Sequence, residues 1–231
     1  MKSRNRQLIK IIDTAINKLM QYIDDTDIII DNNGRLGCGA FGAVYKAICK
    51  NEIVAAKTFK SQAQNTDELS TLCSSKCQSP YALHIIGVAN LNTNEPKFVL
   101  QYMDGGDLRG HLDKRRNNEV TVTNYSRMEI AWAIANVLAD IHHYGCIHHD
   151  IKIHNVLLST KHYTKKLVDL GQTRDIATTM TQGAGTLYCT APEVLKGGHY
   201  GVQADIYSFG FVLTELDILL VPFSCNSKQS E

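Results

Sequence analysis

The stretch His148-His149-Asp150-Ile151-Lys152-Ile153-His154-Asn155 decides how the rest of the chain is interpreted. It places an acid, a lysine and an amide close together, between a helix-like apolar segment and the strand-like Val156-Leu157-Leu158. The helix-like segment is preceded by Ser126-x-x-Glu129, which predicts a capping box at its start. A phosphoryl-transfer site needs an acid to orient a substrate hydroxyl, a cation to neutralise the transferred charge, and an amide oxygen to bind a metal ion. Because the same trio also occurs in solvated loops, the surrounding sequence has to decide between the two interpretations.

Composition describes an ordinary globular protein. The 231 residues are 44% hydrophobic and 20% charged, with a formal net charge of +1. This length allows one large core or two smaller lobes that share a cleft. The small net charge gives no reason to expect nucleic acid or an anionic membrane as a partner. There is no apolar run of the roughly 18 residues needed to span a bilayer. The seven cysteines form no regular framework, which favours reduced thiols and a cytoplasmic location.

An amphipathic pattern occupies residues 5–24. Apolar residues recur at helical spacing from Leu8 to Ile23, and polar residues occupy the other side. This pattern predicts a helix. We expect the helix to pack on the domain that follows it or to bind a protein partner, and we treat residues 1–27 as an N-terminal extension.

Glycines between two strand-like segments predict a loop that covers phosphates. Residues 36–45 read Leu-Gly-Cys-Gly-Ala-Phe-Gly-Ala-Val-Tyr, with the spacing G-x-G-x-x-G-x-V. A dinucleotide-binding fold would open a helix at the third glycine, whereas strand-like residues lie on both sides of these glycines. The sequence therefore predicts a hairpin whose backbone N–H groups cover phosphates, with a plain glycine-rich hairpin as the alternative. A turn is predicted at Lys50-Asn51, and Lys57 ends the strand that follows it, after Val54-Ala55-Ala56.

Together these segments resemble protein kinases of the eukaryotic type, which have a catalytic loop H-R-D-x-K-x-x-N. Three later segments are also similar to kinase motifs: Asp169-Leu170-Gly171 to D-F-G, residues 185–193 to G-T-x-x-Y-x-A-P-E, and residues 204–210 to the start of the helix that anchors the catalytic loop. The motifs follow the family order over about residues 29–222. The Tyr-Ser-Phe-Gly run at 207–210 resembles the tyrosine-kinase-like group, and Lys152 favours Ser/Thr specificity.

The resemblance implies an α+β, two-lobe fold. A small antiparallel β-sheet lobe with one helix would cover residues 28–103, and a larger, mainly helical lobe would cover residues 104–231. Only nine mostly polar residues follow Pro222, so the expectation is a C-terminally truncated lobe that lacks its last helices. ATP and Mg2+ are the implied cofactors, and a protein is the implied substrate.

The resemblance also implies roles for individual residues of the larger lobe. Asp150 would accept or orient the hydroxyl proton, and Lys152 would contact the γ-phosphate. Asn155 and Asp169 would hold Mg2+.

In the smaller lobe, the resemblance implies that Lys57 positions the α- and β-phosphates. Glu68 would hold Lys57, with Asp67 as a rival because the segment between lysine and acid is short for the family. The backbone of Met103 would contact the adenine, and Asp107 would reach the ribose. The full set expected around the nucleotide is Leu36, Gly37, Cys38, Gly39, Ala40, Phe41, Gly42, Ala43, Val44, Ala55, Lys57, Gln101, Met103, Asp107 and Leu157.

His149 departs from the family pattern. In many kinases an arginine at this position pairs with a phosphorylated residue of the activation segment, whereas a histidine, whose ordinary pKa is about 6.5, carries only part of a charge at neutral pH. Activation by phosphorylation of the threonines at 178, 179 or 181 is thus weakly supported. Five histidines between 142 and 154 leave a zinc site as an alternative. The truncation leaves a second class of function open: a catalytically weak or inactive kinase-like scaffold that binds nucleotide or a protein partner.

Overall fold

A computed structural model describes residues 21–38, 42–59, 79–83, 85–90, 93, 95–121, 123–160, 165–167, 174–175, 189–197 and 200–222. These residues fall into two compact units. The first unit contains the described residues from 21 to 103 except 79–82, and the second contains 79–82 and the described residues from Asp104 onward.

The first unit is a six-stranded sheet with the order β1-β5-β6-β4-β3-β2. Its strands are β1 (Gln21–Tyr22), β2 (Ile28–Cys38), β3 (Gly42–Cys49), β4 (Glu52–Phe59), β5 (Ile85–Ala89) and β6 (Lys97–Gln101). All neighbouring strands pair antiparallel except β1, which runs parallel to β5. The prediction of an antiparallel sheet is therefore correct for strands β2 to β6. The parallel strand β1 makes the whole sheet mixed.

The β3–β4 hairpin is closed by the turn that the sequence predicts. Lys50 and Asn51 both have a positive φ, 48° and 67°, which is the conformation of the two-residue turns that match the twist of paired strands. Alternate residues of the strands then face one core, which contains Ile23, Ile28, Ala47, Cys49, Val54, Ala56, Ala89 and Val99.

The helix predicted over residues 5–24 is wrong at its carboxyl end. Gln21 and Tyr22 form β1, and the Ile23 N–H donates to the Val88 carbonyl at 2.9 Å. Sheet pairing overrides the helical pattern here because β1 covers the edge of β5 and buries the Ile23 side chain. Gly87 permits this approach, since a Cβ at that position would lie 2.4 Å from the Gln21 carbonyl oxygen. Residues 5–20 lie outside the described residues.

The second unit is mainly helical. Its helices are α1 (Leu108–Arg116), α2 (Arg127–His143), α3 (Pro192–Leu195) and α4 (Val202–Ile218). Two short antiparallel pairs accompany them: β7 (Cys146–Ile147) with β10 (Arg174–Asp175), and β8 (Val156–Leu158) with β9 (Lys165–Leu167). None of the helices among the described residues is long and apolar enough to cross a lipid bilayer.

Helix α2 carries the chain to the catalytic-loop motif. Ser126 and Glu129 form the predicted capping box at its start, since each side chain bonds the other residue's backbone N–H. Its apolar stripe is buried: Ile130, Ala133, Ile134, Val137, Leu138 and Ile141. The helix ends at His143, and Gly145, with a φ of +71°, turns the chain towards His148.

Helix α4 is only partly covered by the described residues. It ends at Ile218, where Leu219 adopts a left-handed conformation, four residues before Pro222. Ile206, Leu213 and Ile218 are 40–54% exposed. A groove of about 530 Å³ lies between α4 and α2, and Trp132 on its rim is also exposed.

Candidate functional site

Strand register brings three predicted nucleotide residues to one face of the sheet. Val44 pairs with Lys57 across β3 and β4, and Ala55 lies two residues before Lys57 on the same strand. Directly paired residues and residues two apart share a face. Val44, Ala55 and Lys57 therefore lie opposite the face that buries Val54 and Ala56.

Lys57 stands at the edge of an aromatic cluster. Its Nζ lies 5.5 Å from the centroid of the Phe59 ring, and Phe59 packs edge-to-face on Phe98 at 4.7 Å. The side chain is partly buried. The predicted partner Glu68 and its rival Asp67 lie outside the described residues, so their pairing with Lys57 stays a prediction.

The glycine segment is a hairpin, as its flanking residues predict. β2 ends at Cys38 and β3 begins at Gly42, while Gly39, Ala40 and Phe41 between them lie outside the described residues. Leu36, Gly37 and Cys38 are exposed, and Cys38 pairs with Ala43 in the register.

The two described glycines of the motif differ in what requires them. A Cβ at Gly42 would lie 1.8 Å from the Thr58 carbonyl oxygen, so packing of β3 on β4 excludes any side chain. A Cβ at Gly37 would meet nothing within 4 Å. Strand packing thus explains Gly42, whereas Gly37 leaves open space next to the backbone, which suits the approach of a ligand.

Three further predicted nucleotide residues lie at or just after the end of β6. Gln101 ends β6, and Met103, 6% exposed, is the last residue of the first unit. Asp107, in the second unit, caps α1 by accepting a hydrogen bond from the Gly110 N–H at 2.9 Å. Asp107 also forms a β-bridge with Leu157 of β8.

Asp104 is hydrogen-bonded to the two residues that follow β8. Its carboxylate accepts hydrogen bonds from the Ser159 hydroxyl at 3.0 Å, from the Thr160 N–H at 2.9 Å, and from the Thr160 hydroxyl. Burial raises the pKa of Asp104, but these bonds together outweigh it and lower the pKa to about 2. The contacts leave no room for a side chain at Gly105, where a Cβ would lie 2.7 Å from the Leu158 carbonyl oxygen.

Asp150, Lys152 and Asn155 converge, as the motif predicts. The Lys152 ammonium donates to Asp150 Oδ2 at 2.7 Å, and the Asn155 amide nitrogen donates to the same oxygen at 2.9 Å. The Asn155 amide also donates to the Asp150 backbone carbonyl at 2.8 Å. Asp150 is only 8% exposed. The three side chains therefore form one constellation with a carboxylate at its centre.

One of the two proposed magnesium ligands, Asn155, is among the described residues, and its geometry fits that role. Because the Asn155 amide nitrogen makes both bonds to Asp150, the amide oxygen points away from that residue and can serve as a metal ligand. An amide oxygen is a hard ligand of the kind that Mg2+ takes in small number. The second predicted ligand, Asp169, lies outside the described residues.

A buried carboxylate on α4 holds the backbone that leads to Asp150. Asp205 accepts hydrogen bonds from the His148 N–H at 2.7 Å and from the His149 N–H at 2.9 Å. Its Oδ2 also lies 2.8 Å from His142 Nε2 on α2. Burial raises the pKa of Asp205, but the His142 bond, the charge of His148 and the two N–H bonds outweigh it, so the net pKa is lowered.

The clustered histidines have separate surroundings. His142 contacts Asp205, His143 packs edge-on to Tyr144, and His149 contacts Tyr200. Among the described residues, no group of three or more His, Cys, Asp and Glu side chains is arranged to hold a metal ion. The contacts of His142 and His149 are not predicted by any motif, because they involve residues about 50 to 60 positions away.

Comparison with known families agrees with this geometry. The family model described as the protein kinase domain matches residues 30–231. The chain belongs to the protein kinase family. This membership confirms the resemblance deduced from the motifs and the two-lobe fold class that it implies.

Relatives of this kinase chain are named as kinases of several kinds. A probable LIM domain-containing serine/threonine-protein kinase of Dictyostelium discoideum is 31% identical over 215 residues, which are 90% of this chain and 22% of that protein. A putative mitogen-activated protein kinase kinase kinase 7-like protein of Drosophila melanogaster is 32% identical over 196 residues, 82% of this chain and 49% of that protein. A wall-associated receptor kinase-like protein of Arabidopsis thaliana is 34% identical over 196 residues, 80% of this chain and 30% of that protein.

These similarities agree with a kinase domain of the tyrosine-kinase-like group. The kinase chain spans from about a fifth to a half of the length of these relatives.

Proposed function

We propose that this chain is an ATP-dependent protein kinase that transfers the γ-phosphoryl group to serine and threonine hydroxyls of proteins. One observation carries the proposal: the Asp150 carboxylate receives hydrogen bonds from both Lys152 and Asn155. The loop that contains these residues is held by Asp205, which accepts hydrogen bonds from the backbone N–H groups of His148 and His149. Such a preorganised acid with adjacent cation and amide suits phosphoryl transfer, which depends on positioning and charge stabilisation more than on covalent chemistry.

Asp150 is the group that would accept or orient the proton of the attacking hydroxyl. Its bonds to Lys152 and Asn155 fix the carboxylate, so that Oδ1 can face the substrate while Oδ2 is held. Lys152 would contact the transferred phosphoryl group, and Lys57 would hold the α- and β-phosphates together with Glu68. Asn155 and Asp169 would hold Mg2+, which would supply charge neutralisation at the phosphates.

The finer parts of the proposal rest on sequence. The Ser/Thr preference rests on Lys152 and on the Ser/Thr-kinase names of the relatives. The cytoplasmic location rests on cysteine usage, and the partner for residues 5–24 rests on their amphipathic pattern. The absence of nucleic acid and membrane as partners stays a prediction from the small net charge.

The test is ATP-dependent phosphorylation of a generic basic protein substrate by the purified chain. We expect Asp150→Asn to lower kcat about 10²- to 10⁴-fold, the range for loss of a positioned acid–base group. Lys57→Met should also strongly reduce phosphorylation, because the phosphates would lose their cation. Asp217→Asn, at an exposed position of α4, is the matched control and should retain activity.

Retention of activity in both Asp150→Asn and Lys57→Met would contradict the proposal. The alternative function is a kinase-like scaffold that binds nucleotide or a protein without turnover. The exposed apolar groove between α2 and α4 favours that alternative. Nucleotide binding by the wild-type chain without any phosphotransfer would support it.

A further inference from the structure

The residue before the catalytic acid is held in an uncommon conformation. His149 has a φ of +72°, in the left-handed region that non-glycine residues rarely adopt. Its backbone N–H donates to Asp205 Oδ1 at 2.9 Å. The direction in which the chain enters Asp150 therefore depends on what keeps His149 in this conformation.

The imidazole of His149 is contacted by Tyr200. Nδ1 lies 3.3 Å from the Tyr200 hydroxyl, so one of the two groups donates a hydrogen bond to the other. The rings also pack edge-to-face, with centroids 4.7 Å apart and an interplanar angle of 75°. His149 is thus contacted twice by the same tyrosine.

Tyr200 is itself fixed. It is 8% exposed and belongs to a buried cluster with Ile147, Ala191, Val194 and Ala204. Ala204 lies on α4, one residue before Asp205. The side chain and the backbone of His149 are therefore both held by residues at or near the start of the same helix.

We propose that Tyr200 is a positioning residue for Asp150 and acts through the His149 imidazole. This inference rests on the proposed kinase function. Where many kinases carry an arginine that can pair with a phosphate, this chain carries a histidine that a buried tyrosine contacts directly. The contact involves a hydroxyl and an imidazole, so it orders the loop without requiring a phosphorylated residue.

Tyr200→Phe is the direct test, because it removes only the hydroxyl and keeps the ring. We expect kcat to fall about 3- to 10-fold, the equivalent of one neutral hydrogen bond. KM for ATP should change by less than about twofold, because Tyr200 is not among the proposed nucleotide-binding residues. Tyr207→Phe, a substitution at a 46% exposed tyrosine on α4, is the matched control and should leave kcat unchanged.

A double-mutant cycle separates positioning from simple support of the fold. His149→Asn tolerates the left-handed backbone but lacks the ring. If Tyr200 acts through the imidazole, Tyr200→Phe should have no further effect on kcat in the His149→Asn background. Multiplicative losses, or a Tyr200→Phe variant with wild-type kcat, would overturn the proposal.

A spectroscopic measurement is independent of turnover. Nitrogen chemical shifts of the His149 imidazole and amide shifts of Asp150 should change in Tyr200→Phe but not in Tyr207→Phe. If the wild-type chain binds nucleotide, does not turn over, and yet shows these changes, the proposed function fails while the contact stands. Unchanged shifts in Tyr200→Phe would contradict the contact itself.

Discussion

At the residue scale, Asp205 makes hydrogen bonds both to a neighbouring helix and to the loop that leads to Asp150. One buried carboxylate links α2, through His142, to the backbone of the catalytic loop. Each of its bonds is charge-assisted, and such bonds are shorter and stronger than neutral ones. The backbone that leads to Asp150 is therefore held by a residue outside the proposed catalytic set.

His111, unlike Asp205, is a buried polar residue without hydrogen-bond partners for its side chain among the described residues. It is 4% exposed on α1, and neither ring nitrogen has a hydrogen-bond partner among the described residues. Burial, with smaller contributions from the charges of Arg115 and Lys114, lowers the pKa of His111 below its ordinary value of 6.5. The folded chain therefore favours the neutral imidazole.

We predict that His111 makes the chain sensitive to acid. Because the unfolded state binds the proton more readily, this residue lowers the free energy of unfolding as pH falls below about 6.5. His111→Phe should remove that dependence and flatten the difference in unfolding free energy between pH 7.5 and 5.5, measured by urea denaturation. His154→Phe, at an exposed histidine, is the control. An equal pH dependence in wild type and His111→Phe would contradict the prediction.

At the element scale, helices α1 and α4 are joined by a buried ion pair. Arg109 Nη1 on α1 lies 3.3 Å from Glu215 Oε2 on α4. Arg109 Nη2 also donates a hydrogen bond to the Leu219 carbonyl oxygen at 2.8 Å. The second contact satisfies a carbonyl group just past the end of α4, where the helix has no further N–H to bond it. Burial raises the pKa of Glu215 to about 6, against the opposing effect of Arg109.

We predict that Arg109→Met costs about 3–5 kcal/mol of unfolding free energy at pH 7.5, since it leaves the Glu215 charge buried and unpaired. The loss should be smaller at pH 5, where Glu215 can take up a proton. In the wild type, the raised pKa means that Glu215 favours folding most below about pH 4.5 and progressively less as pH rises to about 6. Denaturant titrations at several pH values measure both effects.

The double variant Arg109→Met/Glu215→Gln is the control for this pair. It removes both charges, so it should recover most of the stability lost in Arg109→Met. A double variant that is no more stable than Arg109→Met would show that the buried charge is not the cause.

Elements with strong local signals were predictable from the sequence, while contacts between distant residues were not. The capping box at Ser126 and the turn at Lys50 are set by neighbouring residues, and both are confirmed. The strand at Gln21 was missed because its partner β5 lies more than 60 residues away and has no trace in the local pattern. The same reason explains why the roles of Tyr200 and Arg109 were not predicted.

The candidate site divides along the same line. The spacing of the catalytic loop predicted the convergence on Asp150, because all three residues belong to one short segment. The supports of that loop, Asp205 apart, come from residues that no kinase motif singled out. The arrangement of Asp150, Lys152 and Asn155 thus follows from one local segment, whereas the contacts that hold this segment come from tertiary packing.

At the scale of the whole molecule, a ligand that binds only the folded chain stabilises all of it. We predict that ATP with Mg2+ raises the midpoint of thermal unfolding, by the equivalent of about 2.7 kcal/mol at 100 times the dissociation constant. Chelation of Mg2+ with EDTA should reduce this shift. Scanning fluorimetry measures both, since the protein contains one tryptophan and ten tyrosines.

Asn155→Ala should lose the part of the shift that depends on Mg2+, because Asn155 supplies a proposed ligand. Asn124→Ala, at an exposed position, should behave as the wild type. A stabilisation by ATP that is identical with and without Mg2+ would argue against the proposed metal site.

The pairing of β1 with β5 sets how the chain would respond to mechanical load. Among the described residues, two residue pairs and the Ile23–Val88 hydrogen bond hold this segment, whereas the other five strands are joined by antiparallel ladders of four to eight residue pairs. Tension applied on the amino-terminal side of Gln21 would therefore peel β1 away before the rest of the sheet yields. A partner attached on that side would be held in a defined place by the sheet but could transmit little force to it.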